Sequence, residues 1–181
     1  MSAATELAWG RVAQWLEVLA PSSWAAIRPP ATAAGIREAQ ERMGVSFPDD
    51  LVTLLRLHDG AENTEAATFL PSARLLPLHE MASIHLSTCD LLDSADLLGT
   101  WWHPQWIPFA ANHDGWSRWF LDARPGPGFG AVGSFFMESG GDCGRWPSLA
   151  VFLEEMADAV EDVRPLGNHL PRVDDEALSW D

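Results

Sequence analysis

The chain has no lysine and no tyrosine; all eleven basic residues among its 181 are Arg. Without Lys there is no phosphate-loop amine, no Schiff base to a carbonyl or to pyridoxal phosphate, and no Lys general base. Arg cannot substitute in these roles, because a guanidinium keeps its proton at working pH. Cysteine is scarce as well. Cys89 and Cys143 stand alone, without the paired spacing of a zinc site or a disulfide framework, and they read as reduced thiols of a cytosolic protein. No run of about 18 apolar residues occurs, which removes a transmembrane helix. The first apolar stretch contains Glu6 and Arg11 and has no basic leader, so no signal peptide is expected. These absences describe a cytoplasmic, single-domain protein.

Acid and tryptophan are abundant. Twenty-six Asp and Glu against eleven Arg give a formal charge of −15. Such a surface repels phosphate backbones and anionic headgroups, so neither a nucleic-acid nor a membrane partner is expected. It favours a basic protein partner and speeds the encounter with it. Ten Trp residues must be placed either in the core or at an interface.

The order of elements reads as α+β, with N-terminal helices, an antiparallel meander of three or more strands, and a C-terminal helix packed on the sheet. Trp9, Val12, Trp15, Leu16 and Leu19 recur at helical spacing before Pro21. Thr32 caps a second helix with Ile36, Ala39 and Met43 on one face and Gly44 at its end. Pro48-Asp49-Asp50 opens a third, which Asp59-Gly60 closes. A short strand is expected near 73–78 and a longer helix from His79 to Leu98, stopped by Gly99. Three strands follow at Trp106–Ala111, Ser117–Asp122 and Ala131–Met137, the first two joined by an Asp114-Gly115 turn. The last helix runs from about Ser148 to Arg164. The domain spans residues 5–164, and residues 165–181 read as an acidic, partly disordered tail in which Trp180 is the one docking candidate.

No catalytic, metal or cofactor site emerges. Gly126–Gly130 lacks a following Lys-Ser or Lys-Thr, and two prolines remove backbone donors, so it reads as a loop and not a phosphate cradle. Ser139-Gly140-Gly141-Asp142 lacks the glycine a nucleophile elbow needs and reads as a turn. The histidines show no i, i+4 pair and no Cys neighbour. Cys143, in a Gly-rich loop near Arg145, is the one nucleophile candidate, its pKa lowered by that Arg. The informative residues are of another kind. Asp90, Asp93 and Asp96 lie on an acidic helix without Arg, Trp101-Trp102-His103 follow the helix stop, and Trp116 sits beside the hairpin turn. Paired aromatics in a loop next to a charged face form a candidate partner-binding set.

The run from Pro29-Pro30-Ala31-Thr32 through Gly35-Ile36-Arg37-Glu38-Ala39-Gln40 to Gly44-Val45-Ser46-Phe47-Pro48-Asp49-Asp50-Leu51, ending at His58-Asp59-Gly60, resembles the opening of the SUKH superfamily. Trp106-Ile107-Pro108-Phe109-Ala110, Leu121-Asp122 and Trp146-Pro147-Ser148-Leu149 fit the rest of that pattern, over roughly Trp9 to Val163. The family commonly has Glu where this chain has Gln40, and often an acid where Gly35 stands; a missing carboxylate there weakens a helix start by roughly 0.3–1 kcal/mol. The resemblance implies a non-enzymatic α+β binding domain without cofactor. Its bacterial members are immunity proteins that bind and neutralise a toxin, and its fungal member resembles a regulatory adaptor of the cell wall. Two readings follow: an immunity protein for a basic toxin, or an adaptor in cell-envelope or signalling control.

Overall fold

The structure, a computed structural model, describes residues 1–95 and 101–181, with side chains described up to 92 and again from 101. Six α-helices lie in the described chain: α1 (Ala3–Leu19), α2 (Pro21–Ala25), α3 (Ala33–Met43), α4 (Asp49–Leu57), α5 (Leu78–Ala95) and α6 (Leu149–Asp162). Strands β1 (Arg74–Leu75), β2 (Trp106–Ala111), β3 (Ser117–Asp122), β4 (Val132–Phe136) and β5 (Gly140–Trp146) form one antiparallel sheet in sequence order. Strands β6 (Pro171–Asp174) and β7 (Ala177–Trp180) make a separate hairpin. The fold is α+β, and its C-terminal helix packs on the sheet.

The helix limits follow from local chemistry. The Thr32 hydroxyl accepts from the Gly35 amide at 3.0 Å, and Gly44, at φ 67°, ends α3 in the left-handed conformation. Gln40 then latches the chain into α4, its Oε1 accepting from Phe47 N at 2.7 Å. A neutral amide oxygen makes that bond as a carboxylate would, so the loss of Glu at this position leaves the local geometry intact. Asp50 binds three helix starts together: Oδ1 accepts from the Thr5 hydroxyl at 2.9 Å, and Oδ2 from Ala150 N at 3.3 Å.

The sheet buries both faces. On one, Phe109, Trp119 and Trp146 pack around Phe152 of α6, with ring centroids 6.2, 5.8 and 4.9 Å from it. An extra residue between Pro108 and Ala110 shifts the β2–β3 register, and that bulge accommodates a proline inside the sheet. On the other face Trp106, Phe120 and Phe135 pack with Trp102 and with Leu92 of α5.

Two expectations change here. The Gly140-Gly141-Asp142 turn is the start of β5, a strand built on close approach: a Cβ on Gly141 would lie 2.4 Å from the Trp106 ring. The tail is also ordered over 171–180. Its Leu178 is 1% exposed, Leu178 N donates to Ser23 Oγ at 3.0 Å, and Trp180 Nε1 donates to Phe69 O at 2.8 Å. A polar, acidic composition concealed a hairpin that docks through two apolar residues.

One local conformation is costly. Val163 ends α6 at φ 51°, ψ 52°, a left-handed cap with a β-branched side chain that is 66% exposed. An L-residue with a Cβ pays about 1–2 kcal/mol there. Val163→Gly is expected to stabilise the protein by about 1 kcal/mol, raising Tm by roughly 2–4 °C in a thermal unfolding scan. A lower Tm would mean that the valine contributes packing that outweighs the strain.

Candidate partner-binding surface

β3 has its sequence alternation written into its two faces: Ser117, Trp119 and Leu121 share one side, Arg118, Phe120 and Asp122 the other. At the start of β3 the chain emerges from the Asn112–Gly115 turn, and Asp114 Oδ1 fixes it by accepting from Trp116 N at 3.0 Å. Trp116 is 57% exposed. Its carbonyl accepts from Met137 N at 3.0 Å, while the Met137 carbonyl accepts from Trp101 Nε1 at 2.7 Å. Trp101 and Trp116 are thus held on either side of one residue of the neighbouring strand's end. Trp101 and Trp116 form an aromatic edge; Phe136, 51% exposed, pairs with Ser117 and so lies on the opposite side of the sheet.

α5 is tied to this edge by Arg118, whose Nη1 donates to the Thr88 hydroxyl at 2.7 Å. One turn further along that helix Leu91 is 50% exposed, while Asp90, two positions on from Thr88, is exposed on the side turned away from it. Asp114, which bonds Trp116 N, and Glu138, which follows Met137, put two exposed carboxylates beside the aromatics. The buried Arg118 reaches the Met137 sulfur.

The structure therefore brings together two of the seven residues singled out in the sequence, Trp101 and Trp116, through Met137, while Asp90 is exposed on the side of α5 away from Thr88. Trp102 is a correction. It is 0% exposed, with its ring 5.1 Å from Phe135, 5.5 Å from Trp106 and 5.9 Å from Phe120, and it has no surface to offer a partner. Adjacent residues of a crossing segment point to opposite sides, so one Trp of the pair anchors the core and the other lies half-buried above it. His103 lies elsewhere, beside Trp106 at the far end of β3, about 20 Å along the strand from Trp116. Burial lowers its pKa, and the nearby Arg124 charge adds to that. The side chain of Asp93 and all of Asp96 lie outside the described residues. Met137 was missed; it is the residue that holds Trp101 and Trp116 together.

At the His103 end the carboxylate of Asp122 is gripped by Arg124, with Nε 2.9 Å from Oδ1 and Nη2 2.6 Å from Oδ2. Arg124 also approaches Cys143 Sγ at 3.5 Å. The expected Arg145 neighbour is on the other face, its guanidinium 5.5 Å from the Trp119 ring and bonded to Ser134. Burial raises the Cys143 pKa, more than the Arg124 charge lowers it. The reading of Cys143 as a thiol activated by Arg145 is therefore withdrawn. Among the described residues no three His, Cys, Asp or Glu side chains converge as metal ligands, and no helix is long and apolar enough to cross a membrane.

A second exposed apolar surface went unread in the sequence. Trp15, Val18 and Leu19 of α1 face Val163 and Val173 across two adjoining hollows of about 250 and 320 Å³. The family motifs, by contrast, are structural. Asp59 Oδ1 accepts from Leu78 N at 2.8 Å and so caps α5, and His58 Nδ1 meets the Arg28 carbonyl at 3.0 Å, with burial pushing its pKa down.

Comparison with known proteins agrees with this architecture. The model of the SMI1 / KNR4 family (SUKH-1) matches residues 30–155, from the chain before α3 to the middle of α6. A search of curated proteins found no match.

Proposed function

The chain belongs to the SMI1 / KNR4 family (SUKH-1), and from that premise we propose that it is a non-enzymatic binding domain, a cytoplasmic immunity protein that neutralises a cognate basic toxin by covering it. Family membership supports a non-catalytic domain of the immunity or cell-wall-regulator kind. The observation that carries the finer reading is the edge where Trp116, 57% exposed, and half-buried Trp101 flank Met137, beside the exposed carboxylates of Asp114, which holds Trp116 N, and Glu138, which follows Met137. Exposed aromatics clustered at a polar rim are the usual anchors of a protein interface. The −15 charge steers a cationic protein toward that edge and keeps nucleic acid and anionic membranes away.

The decisive experiment is genetic. Deletion of the gene is expected to impair growth only while a toxin gene beside it is intact. A phenotype that persists after removal of that toxin gene would replace immunity with the adaptor reading. With the toxin in hand, Trp116→Ala is expected to cost about 2 kcal/mol of binding, roughly a 30-fold higher Kd by calorimetry. Val18→Asp in the α1 hollow is expected to leave Kd unchanged. The reverse pattern would move the interface to that hollow.

A further inference from the structure

Arg118 is 9% exposed, yet its partners among the described residues are all neutral. Nε donates to the Gly115 carbonyl at 2.8 Å, Nη1 to the Thr88 hydroxyl at 2.7 Å, and Nη2 points at the Met137 sulfur at 3.8 Å. The guanidinium lies 5.1 Å from the Phe135 ring and 5.8 Å from the Trp102 ring. Burial pushes its pKa down to about 10, which leaves it charged at neutral pH. A cation buried without an anion costs stability, and a methionine of similar length would fill the same slot without that cost. The fold thus retains a charge it does not use.

The three contacts are not equivalent. The Thr88 bond is buried, whereas the Nη2–sulfur and Nε–carbonyl contacts are partly open. A thioether is the weakest acceptor of the three, and its flexible side chain is the easiest to displace. Met137 is half-buried and lies between Trp101 and Trp116. The weakly satisfied end of the guanidinium therefore opens into the aromatic edge.

We propose that Arg118 anchors a carboxylate-binding subsite at the centre of this edge: an Asp or Glu side chain of a protein partner enters beside Trp116, displaces the Met137 thioether and pairs with Nη2. The inference rests on the reading of this edge as a docking surface and adds its specificity. Asp114 and Glu138 repel an isolated anion, so the site selects a carboxylate set among cations. A basic protein with one acidic residue inside its positive patch has that chemistry. The paired carboxylate also recovers the cost of the buried charge at the moment of binding, which makes Arg118 a discriminating contact and not merely an adhesive one.

The test uses the full chain and two capped tripeptides, acetyl-Arg-Glu-Arg-amide and acetyl-Arg-Gln-Arg-amide, titrated into ¹⁵N-labelled protein. The Glu peptide is expected to shift the Arg118 Nε–H and Trp116 indole signals saturably, with the Gln peptide about tenfold weaker. Arg118→Met is expected to abolish the difference between the peptides while keeping Tm at or above that of the parent; Arg118→Gln serves as a second variant. Equal binding of the two peptides overturns the subsite and leaves the docking reading standing. So does a Tm more than about 10 °C lower in both variants, because it would show that the guanidinium already has an internal counter-ion. If Trp116→Ala leaves toxin binding untouched, it is the docking reading that fails.

Discussion

Trp102→Ala is expected to remove about 3–5 kcal/mol of stability, a fall in Tm of roughly 10 °C or more, while Trp116→Ala stays within about 0.5 kcal/mol of the parent. The two residues differ little as sequence, both being Trp near a loop, and completely as structure. Trp102 makes edge-on contacts with Trp106, Phe120 and Phe135 on a sheet face where Leu92 of α5 also packs. Truncation leaves a cavity bounded by β-sheet, which cannot collapse to refill it. Its indole N–H also has no hydrogen-bond partner among the described residues, so Trp102→Phe removes a poorly satisfied donor along with the extra ring and costs less than the alanine change. Chemical denaturation of the three variants measures this directly. A loss of under about 1 kcal/mol for Trp102→Ala would place that ring outside the core.

The same pair shows what the sequence discloses and what it hides. Helices α1, α3, α4 and α6 were legible because each carries an apolar stripe and a stop or cap: Thr32 and Gly44 for α3, Pro48 for α4, Ser148 for α6, whose hydroxyl accepts from Val151 N at 3.2 Å. β2, β3 and β4 were legible from runs of aromatic and branched residues separated by turns. β5 was not, since Gly140, Gly141 and Gly144 carry no strand preference. At Gly141 the Trp106 ring presses against the backbone and leaves no room for a Cβ, as the Phe120 ring does at Gly133 of β4, where a Cβ would lie 2.3 Å away. The C-terminal hairpin turns at Asp175 and Glu176, with φ 49° and 62°, where Asn-Gly would have announced it. Long-range contacts fix these elements, and neither composition nor periodicity reports them.

The candidate surface was legible only in its chemistry. Trp116 beside an Asp-Gly turn and Trp101 after a helix stop could be singled out, but their meeting runs through Met137, whose backbone bonds both. His103, equally polar and equally close in sequence to Trp101, is carried to the other end of β3 by the antiparallel register. Proximity in the chain chose the wrong neighbour. Which residues share an edge is set by which strand end each one occupies.

Gly60→Ala is expected to be the most damaging single-methyl change in the family motif His58-Asp59-Gly60, costing about 3–5 kcal/mol and lowering Tm by roughly 10 °C or more. Gly60 has φ 69°, where any Cβ is strained, and that Cβ would lie 2.4 Å from both Leu76 C and Pro77 N. These are backbone atoms at the junction of β1 and α5 and cannot move aside as a side-chain tip would. Around this point Gly60 O accepts from Arg28 N at 3.0 Å, Ala61 N donates to Leu75 O at 3.0 Å, and Asp59 caps α5. Displacing the backbone here would loosen α5 at its start, and α5 carries Thr88, which holds Arg118. Gly10→Ala is the matched control. It lies exposed in the middle of α1 with nothing within 4 Å of its Cβ position, and there alanine is expected to add about 0.5–1 kcal/mol. One substitution type therefore has opposite signs at two glycines, read from thermal unfolding of both variants. A mild effect at Gly60 would mean that the β1–α5 junction yields, and the motif would then need an explanation other than backbone fit.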